Sequence, residues 1–412
     1  MIRTGEISIM NPQDAVLGLL AYCKANDWAG YDPYDALNSR LFEALPFLDA
    51  KLPRLALTQA MKRFPFNLRP LLLVPKTQNP KALALFLQAL LKLSKLGLLE
   101  EKECIDILAQ RISDLRSPDK VFWCWGYSFP WQTSKQLVPR GAPNLVCTVF
   151  VANALLDLYE HCGTKAHLMM AISAAEYILD QLYWTEGRST AGFSYPRPLS
   201  RDPVHNANFL GAALLFRVGK HSGEEKFFAP ALKVTRYSAG RQHPDGSWDY
   251  GELPTQRWID NFHTGYNLCA LRRVGELAGT DEFDHSVLRG FEFYREHFFR
   301  EDGAPKYFHD RAYPLDVHSV AQSIITLLEF QYLDESSQGL AESVLRWALA
   351  NLWDEEGYFY YQKRAYGRIK IPYMRWGQAW MLLSMATFLE HLRQASPVPA
   401  HGRGGRMQET PK

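Results

Sequence analysis

Five times along this chain, a loop built on glycine and aromatic residues precedes a helix that opens on a small, mostly polar residue. The loop glycines are Gly126, Gly192, Gly246, Gly303 and Gly357, at intervals of 66, 54, 57 and 54 residues. The matching helix starts are Thr148, Asn208, Thr264, Ser319 and Gly377, at intervals of 60, 56, 55 and 58 residues. Such a period is too long for one helix. It suits a helical hairpin with a long loop, each hairpin burying its apolar face against the next.

Helical periodicity fills the repeats. Segment 144–161 sets Val146, Val149, Phe150, Ala154, Leu155 and Leu158 on one face, and Gly163 ends it as Gly223 and Gly279 end its two successors. A second helix follows each first one, over 166–182, 224–239, 281–299 and 339–352. An N-terminal hairpin pairs 81–96, with Pro80 in its first turn, with 101–115. The last helix, 376–392, has no successor, and the amphipathic segment 14–26 can supply one by bringing the chain ends together. Open superhelical arrays use short loops and polar end caps. Here 16 to 22 residues separate each glycine from its helix start, and the final helix is strongly apolar. The expected fold is therefore all-α, a closed (α/α)6 toroid with its long loops at one rim. It is read as one domain over 1–394, with the proline- and aromatic-rich segment 27–78 packed around the outside or over a rim, and 395–412 as a disordered tail.

Composition narrows the partners. A net charge of +2 gives no electrostatic case for nucleic acid or a membrane surface. No apolar run reaches the roughly 20 residues of a membrane span. Segment 82–99 comes nearest, interrupted by Lys92 and Lys95. Segment 1–13 lacks the apolar core of a signal peptide. The six cysteines at 23, 104, 124, 147, 162 and 269 form no Cys-x-x-Cys pair and read as buried thiols of a cytoplasmic protein. Nothing in the chain sets an oligomeric state.

In a ring, the loops would meet around the cavity mouth. They carry Trp123, Trp125, Tyr127, Trp131, Tyr195, Trp248, Tyr250, Trp258, Tyr307, Phe308, Tyr313, Tyr358, Tyr360, Tyr361 and Tyr373. Any one of these rings can simply fill the loop core; as a set they suit sugar faces, with Tyr and Trp edges left for hydroxyls. Helix starts add chemistry. Asp260 and His263 share a helix face, with Tyr266 a turn further on, although Asp260 also suits an N-cap. Asp316 and His318 form a second carboxylate–imidazole site, and Asp202, His205 and Asn206 a partial third. Asp249 and Glu252 are further carboxylates. Arg257, Lys306 and Arg375 bring cations to the same rim, and Arg375 stands where the helix dipole disfavours it, so Asp260, Asp316 or an acidic ligand is expected beside it. No metal-ligand spacing and no phosphate loop occur, though His205, His263 and His318 can converge in a ring. No cofactor or metal is expected.

The segments Gly30-Tyr-Asp-Pro-Tyr-Asp-Ala-Leu-Asn38, Asn67-Leu-Arg-Pro70, Asn79-Pro-Lys-Ala-Leu-Ala-Leu-Phe86, Asp260-Asn-Phe-His-Thr-Gly-Tyr266 and Tyr373-Met-Arg-Trp-Gly-Gln-Ala-Trp380 resemble a family of prokaryotic proteins encoded among exopolysaccharide and cell-surface glycan genes. The resemblance spans about 30–392 and implies glycan chemistry without assigning a catalytic residue. Members are sometimes labelled delta-aminolevulinic acid dehydratase, a β/α barrel enzyme with a Schiff-base lysine, which conflicts with helical hairpins. More distantly the pattern is similar to six-hairpin glycosidases and to the helical domain of D-glucuronyl C5-epimerases. Gln242-His-Pro-Asp-Gly246-Ser-Trp248 also resembles a turn of squalene-type terpene cyclases, but it occurs once and no Asp-x-Asp-Asp cluster accompanies it.

The sequence thus predicts a carbohydrate-active protein that binds an oligo- or polysaccharide. Its leading reaction is glycosidic cleavage, with Asp260 and Asp316 as acid and base, aided by His263, His318 and Tyr266. The expected substrate contacts are Arg375, Trp376, Arg257, Lys306, Tyr313, Trp248, Tyr250, Trp125, Tyr195, His205 and Asn206. The rivals are a uronate C5-epimerase or lyase using the same cluster, with Arg375 on the carboxylate, and a glycan-binding scaffold without chemistry.

Overall fold

The computed structural model describes residues 10–45, 48–118, 120–133 and 135–395. The signal-peptide reading of 1–13 therefore falls largely, and the tail from 396 wholly, outside the described residues. The helices are α1 (Pro12–Ala25), α2 (Arg40–Glu43), α3 (Lys51–Arg63), α4 (Pro80–Lys95), α5 (Glu103–Asp114), α6 (Leu145–Cys162) and α7 (Lys165–Tyr177), then α8 (His205–Ser222), α9 (Phe228–Ala239), α10 (Asn261–Ala278), α11 (Asp284–His297), α12 (Val317–Glu329), α13 (Ser336–Leu352) and α14 (Ala379–Ala395).

The ring closes. Helices α4, α6, α8, α10, α12 and α14 pack side by side in that order, and α14 returns to α4. Outside them, α5, α7, α9, α11 and α13 each pack on the inner helix that precedes them, and α1 packs on α14. This is the (α/α)6 toroid. Apolar residues around the whole circumference of the inner helices explain their position, because such a helix must be covered on every side. In α14, Trp380, Met381, Leu382, Met385 and Phe388 are all buried. The same property makes α6 long and apolar enough to cross a membrane by length and composition, yet it lies mostly buried in the ring. Among the described residues it, and not 82–99, is the helix that meets that length and composition. Four of the six cysteines are buried, but Cys162 at the end of α6 is exposed and Cys269 is half-buried.

Left-handed glycines punctuate the repeat, and Gly163, Gly223 and Gly279 end α6, α8 and α10 as expected (φ 70°, 75° and 66°). The loop glycines are less uniform than their spacing suggests. Gly246, Gly303 and Gly357 have φ of 92°, 80° and 87°, and their structural counterpart in the second repeat is Gly187 (φ 59°), not Gly192. Gly126 instead allows close backbone approach, since a Cβ there would lie 2.0 Å from the Ala142 carbonyl oxygen.

After each outer helix the chain runs back along the rim, often as a short antiparallel ladder such as 183–186 with 190–193 or 353–354 with 358–359. It is then pinned by a polar side chain from the first turn or two of the next inner helix. Thr148 Oγ1 accepts from the Trp125 amide, Asn208 Oδ1 from Phe193 and Gln378 Oε1 from Phe359. Of the recurrent helix-start residues, Thr148 and Asn208 have this role, Gln378 takes it beside Gly377, and Thr264 Oγ1 instead donates to the Asp260 carbonyl.

Segment 27–78 lies over the rim and is held there by buried charge. Arg375 donates to Asp32 through Nε (2.6 Å) and Nη2 (2.9 Å), and Arg69 donates to Asp35 Oδ1 (2.7 Å) and to the Asp32 carbonyl (2.7 Å). Burial of such pairs is costly and removing one partner costs about 3–5 kcal/mol, so this geometry fixes position more than it adds stability.

Candidate functional site

All six inner helices begin at the same end of the ring, around a cavity of about 320 Å³. The second residue after the N-cap lines it in every case, counting for the last helix from the cap of the π turn Met374–Gln378 that leads into α14: Lys81, Val146, Asn206, Phe262, His318 and Arg375. The rest of the wall comes from rim aromatics, including Tyr127, Trp131, Tyr195, Tyr250, Trp258 and Tyr307, from Asp260, His263, Tyr266 and Trp376, and from Tyr34 and Lys62 of the overlying segment. Tyr250 and Trp258 stack with centroids 4.6 Å apart, forming a flat aromatic surface beside His263.

Asp260 is the N-cap of α10, as its alternative reading required. Its Oδ1 accepts from the His263 amide (2.9 Å), and its Oδ2 bonds His263 Nδ1 (2.7 Å) and accepts from Trp258 Nε1 (3.1 Å). A carboxylate on Nδ1 makes that nitrogen the protonated one and leaves Nε2, with no partner among the described residues, as a proton acceptor at the cavity wall. One helix turn further, the Tyr266 hydroxyl lies 2.5 Å from His318 Nε2. Phe262 separates the two imidazoles, with centroids 4.3 Å from His263 and 4.6 Å from His318. Burial, and beyond it the positive charge of Arg375, holds His318 well below the usual imidazole range, so its ring is neutral. Burial also raises the Tyr266 phenol well above its usual value, so it keeps its proton.

Asp316 departs from its expected role. It is fully buried and absent from the cavity wall. Its Oδ1 accepts from the His318 amide (2.8 Å) and Trp376 Nε1 (2.9 Å), and its Oδ2 from Gln362 Nε2 (2.6 Å). Burial pushes its carboxyl up to about 6 despite these donors. Asp316 holds Trp376 in place and does not face the substrate space, so it cannot partner Asp260 across a glycosidic bond.

Other expected contacts also lie elsewhere. Trp125 and Trp248 are core residues whose indoles donate to the Ile112 and Ser238 carbonyls. The cyclase-like turn is a brace, with Gln242 Nε2 donating to the Gly246 and Ser286 carbonyls. His205 turns to Ser238 Oγ (3.2 Å), and burial pushes it down to about 4. Arg257 is exposed, Lys306 donates to the His309 carbonyl, and Tyr313 lies in a separate groove with Gln362 and Arg364. His205, His263 and His318 do not converge, and among the described residues no three His, Cys, Asp or Glu side chains gather as a ligand set. The protein anion beside Arg375 is Asp32, not Asp260 or Asp316. Tyr195, Tyr250, Asn206, Arg375 and Trp376 do line the cavity with Asp260, His263, His318 and Tyr266.

Lys81 is the residue that sequence reasoning missed. It is buried on the cavity wall, its Nζ 3.9 Å from the Phe150 ring centre and 5.3 and 5.5 Å from those of Trp380 and Tyr266. Burial, then the nearby Arg375, lowers its amine well below the usual lysine range. Ring faces favour the ammonium by about 0.5–2 kcal/mol. Removing an unpaired charge from water costs several kcal/mol, so desolvation wins and the amine is neutral. The signal was present, since Lys81 occupies the same register as Asn206 and His318.

No protein-family model matches the chain, and no curated protein matches it in sequence. Solved structures share its fold. The Lin0763 protein from Listeria innocua is 14% identical, with a TM-score of 0.59 over 92% of this chain and 98% of its own. Cellobiose 2-epimerase from Bacillus thermoamylovorans is 11% identical, with a TM-score of 0.59 over 76% and 90%. A GH76 alpha-mannanase from Bacteroides thetaiotaomicron is 10% identical, with a TM-score of 0.58 over 77% and 86%. At these identities the likeness is one of fold, a six-hairpin toroid used by both an epimerase and a glycosidase.

Proposed function

We propose that the cavity moves a proton at the carbon beside the carbonyl of a small reducing sugar, as a sugar epimerase or aldose–ketose isomerase. One observation carries this reading. The Asp260–His263 pair presents a free imidazole nitrogen to the cavity, while the carboxylate that a two-carboxylate hydrolase would need is caged behind Trp376. An epimerase and a mannanase both use this fold, so the side chains decide and not the fold.

In the open-chain sugar, His263 Nε2 takes the C2 proton, and the electron pair moves through C1 to the carbonyl oxygen. The resulting enediolate needs a donor. With His318 Nε2–H bonded to the Tyr266 oxygen, the phenol proton is free to serve that oxygen, and the neutral, aromatic-walled site strengthens the bond. Once the enediol turns its other face to His263, return of that proton to C2 while O1 gives its proton back to Tyr266 yields the epimer; delivery to C1 while the O2 hydroxyl gives its proton to Tyr266 yields the ketose. At about 320 Å³ the cavity lies at the low end of the roughly 300–1,000 Å³ of small-molecule sites, which suits one or two sugar rings better than a polymer lying lengthwise. Arg375 is neutralised by Asp32, which weakens the case for a uronate carboxylate held there. The resemblance to exopolysaccharide-locus proteins supports a place in the supply or remodelling of cytoplasmic sugars for glycan assembly.

The test is incubation with reducing mono- and disaccharides in heavy water, read by NMR and mass spectrometry. Deuterium at C2, or at C1 of a derived ketose, is the expected result. If none of the sugars exchanges while an oligosaccharide is cleaved, proton transfer is the wrong reaction class.

A further inference from the structure

Among the lysines and arginines of the cavity wall, Lys81 alone lacks a polar partner on its side chain among the described residues. Arg375 is held by Asp32, and Lys62 Nζ donates to the Tyr34 hydroxyl at 2.6 Å. Lys81 has an aromatic enclosure of Phe150, Tyr266 and Trp380, and no acidic or hydrogen-bonding group on its Nζ among the described residues. A leucine or methionine would fill this space at far lower desolvation cost, so packing gives no reason for an amine here. The site has the two features that activate a lysine as a nucleophile: an apolar pocket, and a second cation close by.

We infer that Lys81 captures the open-chain carbonyl of the sugar as an imine, so that the cavity holds its substrate covalently through part of the reaction. The sugar class rests on the proton-transfer reading; the capture itself does not need it. The Nζ lone pair adds to C1 and the carbonyl electrons move to oxygen. Proton transfer from nitrogen to that oxygen, by way of the Tyr266 phenol, gives the neutral carbinolamine. The Tyr266 phenol gives its proton to that hydroxyl, and loss of water leaves a protonated imine beside the phenolate, which regains its proton on hydrolysis. The neighbouring C–H is now more acidic, and His263 removes that proton to give a neutral enamine. Reprotonation and hydrolysis return the amine and the product, so water is the sole co-reactant and nothing is oxidised or reduced overall. Exclusion of bulk water by the rim aromatics would protect the imine from premature hydrolysis.

Reductive trapping tests this. The wild-type protein is incubated with D-mannose or cellobiose and sodium cyanoborohydride, and the modified lysines are mapped by peptide mass spectrometry. Lys81 should be alkylated about tenfold faster than the exposed Lys165 and Lys220, a difference of about 1.4 kcal/mol in barrier. Lys81→Arg keeps a long nitrogen-bearing side chain but forms no imine, and should lose both the label and deuterium exchange. Labelling of Lys81 no faster than the surface lysines overturns the inference, as does full exchange by Lys81→Arg. A label at Lys81 without exchange into the sugar would leave the imine standing and remove the proton-transfer reading; exchange without a label would do the reverse.

Discussion

The first turns of α10 and α12 look like two copies of one device, and the structure makes them opposites. Each helix is capped by an aspartate, and each has a histidine in its first turn. At α10 the imidazole follows the cap by three residues, and its ring folds back onto the cap carboxylate. At α12 it follows by two. One residue turns a helix by about 100°, so His318 points to the ring axis and meets Tyr266 instead. Asp316 then satisfies itself with Gln362 and Trp376. One residue of spacing separates a carboxylate that orients a base from a carboxylate that braces a wall.

The sharpest way to break this contrast is at the imidazole. His263→Gln should lower kcat/KM for sugar isomerisation by about 10²–10⁴, the usual worth of a positioned general base. Its thermal midpoint should stay near that of the wild type, because the ring is partly exposed. Unchanged turnover would remove His263 from the mechanism. Asp260→Asn comes next. An amide can still cap α10, but it no longer fixes the proton on His263 Nδ1, so we expect a loss of at least about tenfold in turnover with about 1 kcal/mol or less in stability. Steady-state kinetics paired with denaturant unfolding separates the two effects. Equal turnover losses in Asp260→Asn and Asp316→Asn would erase the distinction between the two helix starts.

Much of this was legible in the chain. The Gly163, Gly223 and Gly279 helix stops and the closing pair of α1 with α14 follow from local pattern. The cluster of Asp260, His263, Tyr266 and His318 follows from placing each motif at an inner helix start. What escaped was direction. The aromatic residues of the rim loops are alike in sequence, yet Trp125 and Trp248 turn into the hairpin cores while Tyr195 and Tyr250 face the cavity. That choice depends on tertiary neighbours such as the Ile112 and Ser238 carbonyls. Asp32 escaped because it lies 343 residues from Arg375, and no local pattern links them. Lys81 escaped for a weaker reason. The recurrent residues Thr148, Asn208, Thr264 and Gly377 lie four residues after their caps, two beyond the shared register that sets Lys81, Asn206, His318 and Arg375 around one axis.

Titration sharpens the comparison at the start of α12. The Asp316 carboxyl is pushed up to about 6 in the folded protein, against roughly 3.9 when unfolded. Between those values the folded state binds more protons than the unfolded state, so this group costs stability as pH rises through the window and no more above it. Asp316→Asn removes that dependence. Relative to wild type, the variant should gain on the order of 1–3 kcal/mol between pH 4 and pH 7, read from urea unfolding. His205 acts in the opposite sense: pushed down to about 4, it makes wild type and variant alike lose stability as pH falls below about 6.5, and so cancels from the difference. A difference that does not change with pH would mean that Asp316 is not desolvated.

The smallest effect tests whether Asp316 acts only through its neighbours. Gln362 donates to Asp316 Oδ2 from the strand 362–364, which pairs antiparallel with 315–316. Gln362→Ala removes this donor and touches nothing on the cavity wall. A hydrogen bond to a charged group contributes about 1.5–3 kcal/mol. The loss should be felt above pH 6, where the carboxylate is ionised, and shrink toward pH 5, where a protonated carboxyl needs the donor less. Turnover should stay within about twofold, a barrier change near 0.4 kcal/mol, because Trp376 Nε1 and the His318 amide still hold Oδ1. A large fall in kcat with unchanged stability would show the opposite arrangement, in which the buried carboxylate reaches the reaction through Trp376, and the starts of α10 and α12 would then be two working halves of one site.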